Sequence, residues 1–429
     1  MDKIFSIIAA EKKRQKEQLQ MIPSENFASA NVMKAVGSCL MNKYAEGYPR
    51  KRYYQGNKNV DQVEEICRER ALKAFGLDDK KWGVNVQPYS GSPANLAVYN
   101  ALLKPGDRMM GMYLPDGGHL THGWHLPDKP ISITSKIYKS EFYHVDKKTL
   151  VFDYDQIEKQ ALKFKPQIII SGGTAYPRTI NHKRLAQIAK KAGAYYMADI
   201  AHEAGLIAAG AHPSPFPYCD VATMTTHKTL RGPRGAMIIG RIELMDKINF
   251  SVFPGLQGGP HEHTIAGISV ALSELMTPAF KKYAFQIVKN AKVLAAELQK
   301  GGLNIVSGGT DKHLVLVDLR NVGLTGWVVA WALEKAGIIA NRNTVPYDTG
   351  SPFYPSGLRF GTPALTTRGM KEKEMQQISG WILQVINYLK DKNLANEKAT
   401  IEWLGKDKSL ARLRAKISAF AKKFPLPGL

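Results

Sequence analysis

The chain has 429 residues, 44% of them hydrophobic, which is enough to bury a large core in two or three structural domains and excludes a disordered protein. Its 59 Lys and Arg against 37 Asp and Glu leave a net charge of +22, a field that attracts polyanions. The basic residues are spread as doublets such as Lys12-Lys13, Lys190-Lys191 and Lys422-Lys423, without an aromatic RNA-binding motif or a helix-turn-helix pattern, so a generally basic surface is expected and a nucleic-acid partner is not.

No apolar run reaches the roughly 18 residues of a membrane span, and the N-terminus enters an amphipathic pattern directly, which predicts a soluble, uncleaved chain with no membrane partner. Cys39, Cys67 and Cys219 form no CxxC pair, which favours a reducing cytoplasm over a disulfide framework or a zinc site. Asp2 caps a predicted helix that runs to about Gln20 and is ended by Pro23. Its apolar residues Ile4, Phe5 and Ile8 predict an arm that packs on another part of the protein or on a second subunit.

Residues 42 to 61, NKYAEGYPRKRYYQGNKNVD, read as a loop dense in tyrosine. Glu46, set among Tyr44, Tyr48, Tyr53 and Tyr54, suits a general acid or base, with a pairing to Arg50, Lys51 or Arg52 as the alternative. After a helix over 62–75, VNVQPYSGSPAN passes from strand (Val84, Val86) through a turn to a helix predicted to open at Pro93, with Ser92 as its N-cap. Free amides there, with the hydroxyls of Ser90 and Ser92, make a site suited to a phosphate.

MMGMYLPDGGHLTHG reads as a strand to about Met112, a Gly117-Gly118 turn, and His119 and His122 three apart. Without a cysteine or acidic cluster nearby in sequence, these read as stacking or hydrogen-bonding histidines, and no metal is expected. Residues 167–173 are again a strand and a glycine turn, leading to Thr174. After a helix near 182–192, AYYMADIAHEAG is a buried strand ending in Asp199, with His202 three residues on. In VATMTTHKTLRGPRG, residues 221–235, a strand stops at Thr225 and Thr226 and is followed by His227 and Lys228. An amine delivered by a strand beside hydroxyls, with Gly232 and Gly235 loosening the backbone after it, suits Schiff-base formation with a carbonyl ligand. The alternative is a solvated loop lysine.

This alternation from about residue 82 to 240 predicts an α/β domain with a mostly parallel sheet. Ligands in such sheets lie outside the carboxyl ends of the strands, where Ser90 to Ser92, His119, Thr174, Asp199, His202 and Lys228 collect. VFPGLQGGPHEH, residues 252–263, is a second glycine loop, either a linker or a phosphate cradle at Gly258 and Gly259. Helices from His263 to Met276 and from Thr277-Pro278 to Gly301-Gly302 follow, then strands at 313–319 and 356–365. A closing helix carries Leu410, Leu413, Ile417, Phe420 and Phe424 on one face, completing a smaller α+β domain. The expected division is a helical arm over 1–40, a large domain over 41–270 and a small domain over 271–429.

An amine, an acid at a strand end, two anion loops, a histidine and Arg359 together match pyridoxal phosphate, whose aldehyde, ring nitrogen and phosphate need such groups. The chain resembles the serine hydroxymethyltransferase family over nearly its whole length, through SENFAS, KYAEGYP, RYY, QPYSGSPAN, LPDGGHLTHG, ADIAHEAGL, TTHKTLRGPRG, FPGLQGGP, NRNTVP and SGLRFGTPALTTRG in the family's order. The resemblance implies the fold-type I architecture of pyridoxal-phosphate transferases, a mostly parallel sheet with helices on both faces plus a smaller C-terminal domain. It implies reversible transfer of the serine hydroxymethyl carbon to tetrahydrofolate, leaving glycine and 5,10-methylenetetrahydrofolate.

Carried over residue by residue, the resemblance makes Lys228 the cofactor lysine, Asp199 the partner of the ring nitrogen and His119 the ring-stacking group. His202, Thr174, Thr225 and His227 surround the ring, and Ser90, Gly91, Ser92, Gly258, Gly259 and Tyr54 hold the phosphate. Arg359 binds the substrate carboxylate through a planar two-point contact that a lysine does not copy, assisted by Arg234 and Ser24. Glu46 carries the proton, and Leu114, Gly118, Leu120 and Asn343 line the folate site. The resemblance further implies a homodimer, with a tetramer as the alternative, in which Glu46 and Tyr54 serve the partner's active site. A folate-independent aldolase of 3-hydroxy amino acids and a basic RNA-binding protein with a vestigial site are the alternatives. The chain departs from the family at Pro23, at Arg50 where glycine follows GYP, at Gln55 where glycine follows RYY, and at Glu203 after the active-site histidine.

Overall fold

The computed structural model describes residues 2–351, 353–390, 392 and 397–428. They form two compact units: Ala28–Ala284, and the N-terminal residues to Phe27 together with Phe285–Pro427. This differs from the expected division. Leu19–Gln20 pairs in parallel with Ile338–Ile339, and the Leu19 and Met21 amides donate to the Gly337 and Ile339 carbonyls at 2.9 and 2.7 Å, so the first residues are tied to the small unit. The break falls inside the helix Pro278–Lys300 rather than at residue 270.

The large unit is built on a seven-stranded sheet in the order Trp82–Asn85, Ala236–Arg241, Val221–Thr225, Tyr195–Asp199, Ile168–Ser171, Arg108–Met112 and Lys139–Tyr143. Ala236–Arg241 is antiparallel to both of its neighbours and the remaining pairings are parallel, as the α/β reading expects. Its central strands are continuous apolar runs because both sheet faces are covered. Ile168, Ile170 and Met197 pack with Ala94, Ala97 and Val98 of the helix Gly91–Leu102. The alternating Tyr196 points to the other face, where its hydroxyl meets His182 Nδ1 at 2.7 Å.

Local sequence sets the helices that cover this sheet. In His182–Ala192, the side chain of Asn181 accepts from the Arg184 amide, and Leu185, Ile188 and Ala189 form the buried stripe. Gly193, at φ 69° in the left-handed region, closes the helix onto the Ala189 and Lys190 carbonyls.

The small unit carries a four-stranded antiparallel sheet in the order Asn304–Ile305, Leu314–Asp318, Gly357–Gly361 and Asn341–Asn343. The predicted strand over 356–365 is shorter, because Pro363 starts the helix Pro363–Thr367. In the closing helix, Lys408–Ala421, Leu410, Leu413 and Ile417 are buried, and Phe420 and Phe424 are partly buried against the same core. The first helix, Lys3–Glu17, is capped by Asp2 as expected but stops before Gln20, and Ile4, Phe5, Ile7 and Ile8 are exposed.

Two helix ends in this unit meet one cation. The Arg368 guanidinium donates to the Lys16 carbonyl at 3.0 Å in the last turn of the first helix, to the Gln18 carbonyl at 2.9 Å at its C-cap, and to the Phe424 carbonyl at 2.9 Å beyond the last helix. Such carbonyls have no partner within their own helix, and a cation is favoured at a C-terminus. Arg368→Met is expected to destabilise the small unit by about 3 kcal/mol or more, several buried carbonyls each losing about 1 kcal/mol. Urea denaturation measures this, and an unchanged midpoint would show that the two helix ends do not depend on Arg368.

Candidate active site

The strands end where chemistry-bearing side chains begin. Asp199, the last residue of its strand, is buried, and its Oδ2 accepts from Asn95 Nδ2 at 2.9 Å and faces His122 Nε2 at 3.2 Å. Its Oδ1 accepts the Ala201 amide at 3.1 Å. Burial drives this carboxyl upward, but the hydrogen bond and charge of His122, the charge of His119 and the Asn95 amide outweigh it and hold Asp199 well below the usual carboxylate range. Asn95 is fixed in turn by Thr223 Oγ1 at 2.6 Å and Thr121 Oγ1 at 2.8 Å.

His119 Nδ1 lies 2.8 Å from Thr121 Oγ1 and accepts the Thr121 amide at 3.3 Å, which leaves the proton on Nε2. Burial pushes the His119 ring down to about 4, so at neutral pH it is an uncharged aromatic plane. Together His119, His122 and Asp199 place their nitrogen and oxygen atoms within 4.8 Å of one another. The acid absent from the local sequence therefore arrives from 77 residues away.

Lys228 Nζ donates to Thr225 Oγ1 at 3.0 Å, and Thr225 Oγ1 to the Ala201 carbonyl at 3.3 Å. One pocket is lined by Gly91, His119, Gly173, Thr174, Asp199, Ala201, His202, Thr225 and Lys228. Glycine is required at its mouth, since a Cβ on Gly91 would stand 2.8 Å from Thr225 Cγ2. Thr174 lines the same pocket, with its hydroxyl given to the Gly118 carbonyl at 2.9 Å. His227 Nδ1 has no hydrogen-bond partner among the described residues, and burial, then the Lys228 and Arg234 charges, push its ring down to about 3. Arg234 is exposed.

The helix expected to open at Pro93 begins two residues earlier. It spans Gly91–Leu102 with Ser90 as N-cap, so Pro93 is its third residue rather than its first. Ser90 makes no side-chain cap, which leaves its hydroxyl and the first-turn amides for an anion.

A second group in the large unit is gathered by the hairpin in which Gly47–Tyr48 pairs with Lys51–Arg52. Tyr44 donates to Glu46 Oε1 at 3.2 Å, and the rings of Tyr44 and Tyr54 meet edge to face at 5.1 Å. Gly258 and Gly259 lie against Glu46 and Tyr44, and a Cβ on Gly259 would stand 3.4 Å from the Tyr44 ring. Leu114 is half-buried, Gly118 buried and Leu120 exposed.

In the small unit, Arg359 is buried in the strand Gly357–Gly361, its Nε donates to Asn341 Oδ1 at 3.3 Å, and burial pushes it down to about 10. Asn343 donates to the Thr344 carbonyl at 2.7 Å, and Ser24 is half-buried.

The pocket fits pyridoxal phosphate on its own chemistry. It holds an ionised carboxylate with a lone pair of Oδ1 unspent, an amine, a neutral ring, and a helix opening at a glycine cradle. Fold and pocket define an α/β enzyme of the lysine-linked cofactor class.

A family model described as serine hydroxymethyltransferase matches residues 1–382. Serine hydroxymethyltransferase of Acidothermus cellulolyticus is 50% identical, covering 99% of this chain and 96% of that protein. The cytosolic enzyme of Oryctolagus cuniculus is 49% identical over 99% of this chain and 93% of its own length. The mitochondrial enzyme of Schizosaccharomyces pombe is 48% identical over 99% and 92%. The chain belongs to the serine hydroxymethyltransferase family.

The two depressed histidines set a pH dependence. The unfolded chain takes up their protons below the ordinary value of 6.5 while the folded chain waits until about 4 and about 3, so the stability they confer is present above 6.5 and lost as pH falls. Each removes up to about 1.4 kcal/mol per pH unit in that window. Denaturation of the cofactor-free protein between pH 7 and 4.5 should show this slope, and His119→Phe should flatten it by one proton. Equal slopes would mean that His119 is not held neutral.

Proposed function

We propose that the protein transfers the hydroxymethyl carbon of L-serine reversibly to tetrahydrofolate, yielding glycine and 5,10-methylenetetrahydrofolate, with pyridoxal 5'-phosphate held at Lys228. The observation that carries this reading is an amine, Lys228, sharing one pocket with a buried, ionised Asp199. The cofactor supplies an electron-accepting ring conjugated to the α-carbon of the amino acid. Asp199 keeps a proton at the ring nitrogen, because an ionised carboxylate in a dry pocket favours the cation beside it. Neutral His119 covers the ring face and brings no charge that would compete with that proton.

The amides at Gly91 and Ser92 with the Ser90 and Ser92 hydroxyls take the phosphate, while His202, Thr174 and Thr225, which line the pocket, border the ring, and His227 stands beside Lys228 in sequence. Arg359 grips the serine carboxylate, with Ser24 and Arg234 assisting. Its burial favours a two-point pairing with an anion over solvation. Glu46 moves the proton at the substrate hydroxyl, and Leu114, Gly118, Leu120 and Asn343 border the folate.

Glu46 and Tyr54 do not join the wall around Lys228: Glu46 stands against Gly258, and Tyr54 packs on Tyr44 and is 40% exposed. This supports a homodimer in which these residues complete the partner's site, and the exposed apolar face of Lys3–Glu17 supplies a surface for the same association. The domains act as a large cofactor-binding unit and a small substrate-carboxylate unit. Among the described residues no helix is long and apolar enough to cross a membrane. Cytoplasmic residence is proposed on the free thiols of Cys39, Cys67 and Cys219.

Glu46→Gln should keep the cofactor bound and lower kcat with tetrahydrofolate by at least about 10²-fold, the scale of positioned acid–base catalysis. A near-normal kcat would move the proton step to another group. Mixing inactive Lys228→Ala and Glu46→Gln subunits should restore about a quarter of wild-type sites, because each mixed dimer then holds one intact site. Exchange confirmed by mass spectrometry without recovered activity would exclude a shared site.

A further inference from the structure

Beneath the hairpin that carries Glu46 lies a buried polar cluster that the proposed chemistry leaves unused. Arg52 Nε donates to Asp61 Oδ1 at 2.9 Å and its Nη2 to Glu64 Oε2 at 2.8 Å. Its Nη1 donates to the carbonyls of Ala45 at 2.8 Å and Gly47 at 3.0 Å, the two residues that bracket Glu46. Gln87 ties the same place twice, donating to the Gly47 carbonyl at 2.9 Å and to Glu64 Oε1 at 3.1 Å.

Opposite this guanidinium stands Glu262, the first residue of the helix Glu262–Leu275 and the residue that ends the Gly258-Gly259 loop. Its side chain is 0% exposed, and its Oε1 is 3.7 Å from Arg52 Nη2. Neither carboxyl oxygen has a hydrogen-bond partner among the described residues. Three carboxyls therefore face one guanidinium in a dry site. An unpartnered buried carboxylate is far more costly than an unpartnered neutral acid.

The surroundings agree with a neutral acid. Burial, then the Glu64 charge, push Glu262 up to about 8, with Asp61 acting the same way and Arg52 opposing. Burial also raises Glu64, against Arg52 and Arg68. On the neighbouring helix Cys67 is fully buried, its thiol pushed up by burial, and Arg70 is committed to Ser269 at 2.9 and 3.1 Å. On the loop side His261 stacks between Tyr89 at 4.2 Å and His263 at 5.8 Å. On the sheet side Tyr48, its hydroxyl raised by burial, donates to the Asn249 carbonyl at 2.6 Å.

We propose that Glu262 is a positioning residue that, as a neutral acid, allows Arg52, Asp61 and Glu64 to clamp hairpin 45–54 against the Gly258-Gly259 loop, and that its ionisation opens this clamp. The kinetic consequence rests on the reading that Glu46 and Tyr54 serve the reaction. The sign follows from linkage: a carboxyl whose folded value lies above its unfolded value contributes stability at low pH that is lost as pH rises through the folded value. The opening therefore falls between pH 7 and 9.

The test compares the holoenzyme with its Glu262→Gln variant, which keeps the shape of the acid and cannot ionise. Hydrogen exchange of peptides covering 45–54 and 255–262, corrected for intrinsic rates, is read at pH 7 and 9, together with kcat/KM for tetrahydrofolate. Wild-type protection and kcat/KM should each fall about tenfold by pH 9, where roughly a tenth of the acid remains protonated. Glu262→Gln should hold both within about twofold, the residual scatter of an uncoupled site. An alkaline loss of protection equal in the two proteins, or absent from the wild type, would overturn the proposal, and the wild-type measurement decides even if the variant does not fold. Opening in the wild type alone, without any kinetic change, would uphold the clamp and count against a reactive role for Glu46.

Discussion

The buried negative charge of Asp199 is the constraint from which the large unit's site follows. A carboxylate in a dry interior costs several kcal/mol unless hydrogen bonds and opposite charge surround it. Here Asn95 reaches it from the helix Gly91–Leu102, His122 from the turn after Arg108–Met112, and the Ala201 amide from its own strand end. Satisfying that charge aligns three segments at once. The same segments carry the helix opening at Ser90–Gly91, the His119 ring and, through Thr223 and Thr225, the strand that ends beside Lys228. The lining of this pocket is thus a by-product of solving one desolvation problem.

Much of this was legible in the sequence because strand ends carry their own signals. VATMTTHK and YYMAD show buried small or apolar residues stopping abruptly at polar ones, and both strands end where that pattern stops. The helix after Tyr89 starts before Pro93, although proline favours the first helical position, because a proline is tolerated anywhere in the first turn, whose amides have no helical partner. Spacing marks His122 as a hydrogen-bonding histidine but names no partner for it, and it gives no sign of Asn95. Their partners lie 77 and 104 residues away, and only the parallel order of the strands brings them together. Glu262 falls in the expected 252–263 loop but opens the helix Glu262–Leu275, and its burial against Asp61 and Glu64 has no local signature.

The hairpin shows how a side chain is accommodated at a strained turn. Arg50 has a φ of 64°, in the left-handed region that costs a residue with a side chain about 1–2 kcal/mol. Its amide donates to Asp61 Oδ2 at 2.9 Å and its guanidinium pairs with Glu65 at 3.1 Å. Asp61 thus binds Arg50 and Arg52 together, so the strained turn and the buried cluster support each other.

The account stands on Lys228 being the amine that meets the cofactor in the Asp199 pocket. Borohydride reduction of the purified protein, which fixes a bound pyridoxal group to its lysine, followed by peptide mapping, tests this most directly. The pyridoxyl group should appear on Lys228 alone. Its appearance on another lysine, or its absence from a protein saturated with pyridoxal phosphate, would contradict the account.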